Sequence, residues 1–306
     1  LLLLMVLNLV PLGCYDYQEI DDTAFVLVMG LDKGRENKLT LTVQIAVPRR
    51  IGGGGGGGIP GMGGEGGKPT ELVSVEAPSL AAAFNMINSF VNRRISLKHT
   101  KAVVFSEELA REGTLPYLHV MARFLEFRRS MFIAVARGVS AKELLEKNIP
   151  VLEANPAKYI ELASLTTKYT AFSPLQPQFH YFYNAAHLRG ADPVAILVGL
   201  KRQTPQGEGP PIEPPYGWRS EGSYFAGEIP RSGGNQTELM GAALFRGDRM
   251  VGEINGDQMT ALMLLRHTFD QAYVSVQDPL VPEQMVSLNL HQHRTPRIKI
   301  DVSSPV

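Results

Sequence analysis

Apolar and polar positions alternate along some stretches of the chain and recur at helical spacing along others, and these two periods divide it into strands and helices. Residues 24–31 are an apolar run, and 38–46 set Leu39, Leu41, Val43 and Ile45 against Thr40, Thr42 and Gln44, so both read as strands. Asp32-Lys33-Gly34 between them is turn chemistry and predicts an antiparallel hairpin. A short strand is expected at 72–75. In 79–91, Leu80, Ala83, Phe84, Ile87 and Val91 share one helical face behind Ser79, a plausible N-cap. Residues 100–105 read as a buried strand. Ser106 then caps a short helix with Glu107 and Glu108 in its first turn and Gly113 at its end. A helix is expected from Pro116 to about Arg129, a strand over 131–136 and a capped helix over 140–147. Strands interleaved with helices in this way predict a sheet covered by helices.

Two further helices, 156–169 and 178–188, lead to an apolar strand at 194–200. Prolines and glycines then crowd residues 203–236, which predicts a linker or irregular segment holding one strand near 224–228. A second unit starts at Thr237. It has a hairpin of 239–245 and 250–254 across Gly247-Asp248, a helix over 256–267, and strands at 274–276, 285–291 and 297–302. The expected fold class is therefore α+β, with mixed sheets covered by helices in two or more dissimilar domains. These are an N-terminal α/β domain over 14–202 and a C-terminal one over 237–306, the latter expected to be incomplete. Residues 52–67 contain seven consecutive glycines, cannot bury apolar area, and are expected to form a disordered insertion. A phosphate-binding loop would need Lys-Ser/Thr after its glycines, and Gly67-Lys68-Pro69 does not supply it.

Composition narrows the function. Of 306 residues, 44% are hydrophobic and 20% charged, which suits a folded globular protein. Thirty basic residues balance thirty acidic ones, so no positive field exists to gather phosphate backbones, and nucleic acid is not an expected partner. Cys14 is the only cysteine, so an internal disulfide or thiolate metal cluster is excluded. Residues 1–13 are uncharged and almost wholly apolar, yet far short of the roughly 20 residues that span a bilayer. They read as the core of a truncated signal peptide, lacking its basic start. Gly13-Cys14 then has the form of a bacterial lipoprotein junction, which makes Cys14 the candidate lipid-attachment residue; a buried core cysteine is the competing reading. The abrupt turn to Asp16, Glu19, Asp21 and Asp22 favours an exit into solvent.

Candidate chemistry is sparse. No Gly-x-Ser-x-Gly elbow occurs, the single thiol sits at the junction, and neither catalysis nor a cofactor is expected. His291 and His293 could share a metal on one strand face, but no third ligand stands nearby and Arg294 is adjacent, so they read as an exposed strand face and no metal is expected. One pattern stands out. On the expected helix from Pro116, His119, Arg123, Glu126 and Ser130 follow spacings of four, three and four, a polar line on an otherwise apolar element. It reads as an Arg123–Glu126 pair satisfying itself, as a partner contact formed by His119, Arg123 and Glu126, or as part of a small-molecule pocket.

Four segments together resemble the Ger(x)C spore-germination lipoproteins, the C subunits of nutrient germinant receptors. They are Gly13-Cys14-Tyr15-Asp16 running into Glu19-Ile20-Asp21-Asp22 and Gly30-Leu31-Asp32-Lys33; Lys98-His99-Thr100-Lys101 with residues 107–113; Arg123-Phe124-Leu125-Glu126-Phe127-Arg128; and Gly241-Ala242-Ala243-Leu244-Phe245 leading to Gly256. The resemblance implies a lipid-anchored subunit on the outer face of the inner spore membrane, working in assembly or signalling beside the integral membrane A and B subunits. An extracytoplasmic solute-binding lipoprotein is the alternative, and it would require two similar lobes closing on a cleft.

Overall fold

A computed structural model describes residues 19, 22–47, 69–150, 152–153, 155–175, 177–188, 190–202, 219–291, 297 and 299. Cys14, the glycine-rich stretch at 52–67, His293 and the strand expected at 297–302 lie wholly or largely outside them.

The expected first hairpin forms from β1 (Thr23–Lys33) and β2 (Leu39–Ala46), and β3 (Thr70–Ala77) extends it antiparallel to β2. On its other side β1 runs parallel to β5 (Ala102–Ser106), and its first residues also pair with the short β4 (Arg94–Ser96). β6 (Phe132–Arg137) and β7 (Val194–Leu200) continue the parallel run. β8 (Thr237–Arg246) and β9 (Arg249–Ile254) then close the sheet antiparallel, giving the order β3-β2-β1-β5-β6-β7-β8-β9. This is a mixed sheet with helices on both faces, of the α+β class. Its central strands are apolar at successive positions because both faces are covered, as in the fully buried run Phe132 to Ala136.

One face packs α1 (Leu80–Phe90), α2 (Glu107–Glu112), α3 (Leu115–Arg123) and α7 (Phe179–His187), through Leu80, Phe84, Ile87, Leu118, Met121 and Phe182. The opposite face packs α4 (Ala141–Lys147) and α5 (Pro156–Leu165) through Leu144, Leu145 and Ile160. Burying each such side chain removes enough apolar surface to contribute about 1.5–3 kcal/mol. Ser79, Ser106 and Ser140 each accept a backbone N–H of the first turn, as expected of N-caps. α6 (Thr167–Thr170) is separated from α5 at Thr166, where one longer helix was expected. A two-stranded sheet of β10 (Gln271–Gln277) and β11 (Met285–His291) follows α8 (Gly256–Leu265). It joins the core through Ala272, which shares a cluster with Met263 and Phe269.

One expectation needs correction. The strand expected near 224–228 does not form. That stretch is irregular yet held against the sheet, with Ala226 donating to Met240 O at 3.2 Å and Arg202 to Gly227 O at 3.0 Å. Gly199 is the residue that permits this approach, because a Cβ there would lie 2.4 Å from Ala226 O. Beyond residues 203–236, β8 and β9 are strands of the same sheet as β1 and β5–β7.

Candidate functional site

The polar line expected on one long helix is not there. α3 ends at Arg123, and Phe124 takes an extended conformation (φ −78°, ψ 116°). The chain turns because Phe124 and Phe127 both pack on Phe84 of α1, with ring centroids 6.5 and 6.4 Å away. His119, Arg123 and Glu126 therefore stand in three different surroundings. His119 faces α7, its Nδ1 3.0 Å from the Tyr183 hydroxyl and its ring 4.9 Å from that of His187. Glu126, beyond the helix, accepts the backbone N–H of Leu97 at 3.0 Å. Arg123 is exposed and makes no ion pair among the described residues, so the expected Arg123–Glu126 pair is absent.

The polar constellation that does organise the molecule was not legible in any motif. Arg137, at the C-terminal end of β6, sends its Nε to both carboxylate oxygens of Glu253 (2.9 and 3.1 Å) and its Nη1 to Glu228 (2.8 Å), while its guanidinium lies 4.6 Å from the centre of the Phe225 ring. Burial disfavours its charge, but the hydrogen bonds it donates to Glu228 and Glu253 outweigh that, and its pKa is raised above the usual value. Nearby, the buried Glu238 accepts Arg231 Nε at 2.7 Å and the backbone N–H of Gly227 at 2.8 Å, and Arg231 also donates to Asn235 O. One arginine thus joins the parallel strands, the irregular segment and the edge strand β9.

A second carboxylate joins β1 to α4. Asp32 accepts the N–H groups of Ala141 (2.7 Å) and Lys142 (3.0 Å), while desolvation raises its pKa against the opposing pull of these bonds. Both groups position elements of the fold, Arg137 through carboxylates on two other segments and Asp32 through two N–H groups of α4. Among the described residues no three His, Cys, Asp or Glu side chains gather as a metal site. No described helix is long and apolar enough to cross a membrane.

The arginine clamp ties the parallel and antiparallel parts of the sheet together, and sequence comparison identifies the family. A family model described as the spore germination protein N-terminal domain matches residues 16–200, and one described as spore germination B3/GerAC like, C-terminal, matches 240–305. The chain belongs to this family of spore germination proteins. The putative spore germination protein YfkR of Bacillus subtilis strain 168 is 27% identical over 255 residues, covering 83% of this chain and 57% of that protein. The spore germination protein KC of the same organism is 31% identical over 154 residues, covering 49% of this chain and 37% of that protein. The chain thus spans 57% or less of the length of these relatives. The crystal structure of the GerBC protein aligns with 82% of this chain and 58% of its own at 15% identity, with a TM-score of 0.35.

Proposed function

We propose that this protein is the lipid-anchored C subunit of a spore germinant receptor, acting in assembly or signalling of the nutrient response beside the integral membrane A and B subunits. The observation that carries the reading is the family match, whose first segment begins at residue 16, two positions after Cys14 at the end of an apolar leader. Acyl chains on that thiol would hold the protein to the outer face of the inner spore membrane, since each buried methylene contributes about 0.8 kcal/mol. The single sheet spanning both family segments supports an assembly role over a two-lobed solute-binding one. Arg123 is the exposed member of the partner contact proposed for His119, Arg123 and Glu126, the other two being engaged within the fold.

Fractionation and co-purification test this. In spores carrying a tagged chain, the protein should pellet with the inner membrane and bring the A and B subunits with it, and Cys14→Ala should release it. Retention of Cys14→Ala after a high-salt wash would assign anchoring to partner contacts. Recovery without either integral subunit would end the assembly reading.

A further inference from the structure

We propose that three turns at one edge of the sheet form a surface that seats on anionic phospholipid. Residues 97–100, 124–127 and 128–131 are each a turn, closed by Thr100 N–H on Leu97 O at 3.0 Å, Phe127 N–H on Phe124 O at 3.2 Å and Met131 N–H on Arg128 O at 3.2 Å. The first leads into β5 and the other two into β6, so all three lie at the edge where these parallel strands begin. They are tied to one another and to the fold. Glu126 accepts Leu97 N–H at 3.0 Å, Phe132 donates to Lys101 O at 2.8 Å, and His180 of α7 donates its N–H to Arg129 O at 3.1 Å. With the backbone fixed in this way, the exposed side chains of Lys98, Leu125, Arg128 and Arg129 are presented together at the edge.

Two properties select a lipid surface. Leu125 is 102% exposed and its neighbour Phe124 42%, so the fold gains little from either, whereas the boundary between headgroups and acyl chains would bury both. Around them the charge is positive. Burial first, then the charges of Arg128, Lys101 and Lys98, hold the His99 pKa below its usual value, which places those three cations within electrostatic reach of one ring. The acid within the turns, Glu126, is engaged by Leu97, and Asp22 at the entry of β1 shares its cleft with Arg93 and Arg94. The start of β1 lies at this same edge, since Thr23 pairs with Arg94 and Val28 with Ala102. Thr23 is nine positions after Cys14, a step that reaches at most about 30 Å when fully extended. Acylation at Cys14, as proposed above, would thus keep this edge near the bilayer. That orientation rests on the anchoring proposal, and the lipid contact itself rests on the turns.

The test uses the full chain with Cys14→Ala, so that no acyl chain contributes. It is floated with vesicles of phosphatidylcholine, or with vesicles in which a third of that lipid is replaced by phosphatidylglycerol. Binding should be at least tenfold tighter to the anionic vesicles and should fall as salt is raised. Lys98→Glu, Arg128→Glu and Arg129→Glu together should abolish that preference without moving Tm. Arg35→Glu, Lys38→Glu and Lys142→Glu change the net charge equally at the opposite edge and should preserve it. A fluorescent label on Leu125→Cys, the only cysteine in this background, should be shielded from an aqueous quencher by anionic vesicles, and one on Lys38→Cys should stay open to it. Equal affinity for the two vesicles, equal losses from the two triple changes, or a label at position 125 that remains open to quencher overturns the proposal. The label is read in a chain that keeps all its charges, so it decides even where the triple variant does not fold. A failure of acylation would appear in spore fractionation and leave these vesicle results unchanged.

Discussion

The backbone N–H of Leu115, the first residue of α3, donates to the Asp248 carboxylate at 3.1 Å across 133 positions of sequence. Thr114 stands at the N-cap in an αR conformation and its side chain makes no cap bond. It donates instead through both N–H and Oγ1 to Asp248 O, at 3.0 and 2.9 Å. The β8–β9 turn therefore caps a helix of the N-terminal unit. Gly113 leaves room for it at φ 137°, where a Cβ would come within 2.9 Å of Asp248 Oδ2. Asp248→Ala should cost about 1 kcal/mol, the usual loss of an N-cap, and Asp248→Asn less. Equal losses from the two variants in urea unfolding would show that the side-chain oxygen is not the cap.

Arg137 should be among the most sensitive polar positions. Its side chain is 16% exposed and those of Glu228 and Glu253 are 27% and 24% exposed. Arg137→Met strands both carboxylates and should cost about 3 kcal/mol, the low end of the range for breaking a buried pair because some solvent still reaches the cluster. A double-mutant cycle with Glu253→Gln reads the pairwise coupling directly. Coupling indistinguishable from zero would remove the clamp.

Asp32 supplies a pH dependence whose sign follows from its raised pKa. Between the ordinary value of 3.8 and the raised one, the folded state holds more protons than the unfolded state, so stability falls as pH climbs through that interval and levels off above it. Asp32→Asn cannot titrate. The stability of the variant relative to the parent should therefore rise as pH increases from 3.8, as read from Tm across a pH series. A parent that gains on the variant over the same interval would mean that the N–H bonds from α4 outweigh desolvation.

Because Arg123 and Glu126 do not touch, their charges should act independently. Glu126→Gln weakens the acceptor for Leu97 N–H and should cost about 1 kcal/mol, while Arg123→Glu should stay within about 0.5 kcal/mol of the parent, as surface changes do. Exchanging the two residues should then rescue nothing beyond the sum of the single changes. A rescue of more than that sum would restore the ion pair.

Much of the sheet was legible because its signals are local. Alternation at 38–46, the apolar runs at 100–105, 131–136 and 194–200, and the three serine caps each depend on a few neighbouring residues. The end of α3 was not legible. No Gly or Pro marks residues 124–130, and the helix stops because Phe124 and Phe127 are drawn onto Phe84, some forty positions earlier. The same distance problem hid Tyr183 from His119 and Glu253 from Arg137, so the polar line drawn at helical spacing was an artefact of extending α3 by two turns. The strand expected near 224–228 failed for another reason. Its Gly227 lets backbone lie close against backbone beside Leu200, whose carbonyl oxygen a Cβ there would meet at 2.7 Å.

The pairing of β1 sets how the protein bears a load. Its start, Thr23, sits beside Arg94 of β4, and farther along it is paired with β2 on one side and β5 on the other. Traction through the residues before Thr23 runs along the strand, across hydrogen bonds that lie roughly perpendicular to it on the β2 side and slanted on the β5 side. Those bonds are loaded in parallel and have to give way together, whereas an edge strand such as β9 can be peeled off one bond at a time. In force spectroscopy, a handle before Thr23 should therefore require a higher rupture force than one placed to peel β9. A membrane tether at that end would pull on one of the most mechanically resistant strands in the molecule.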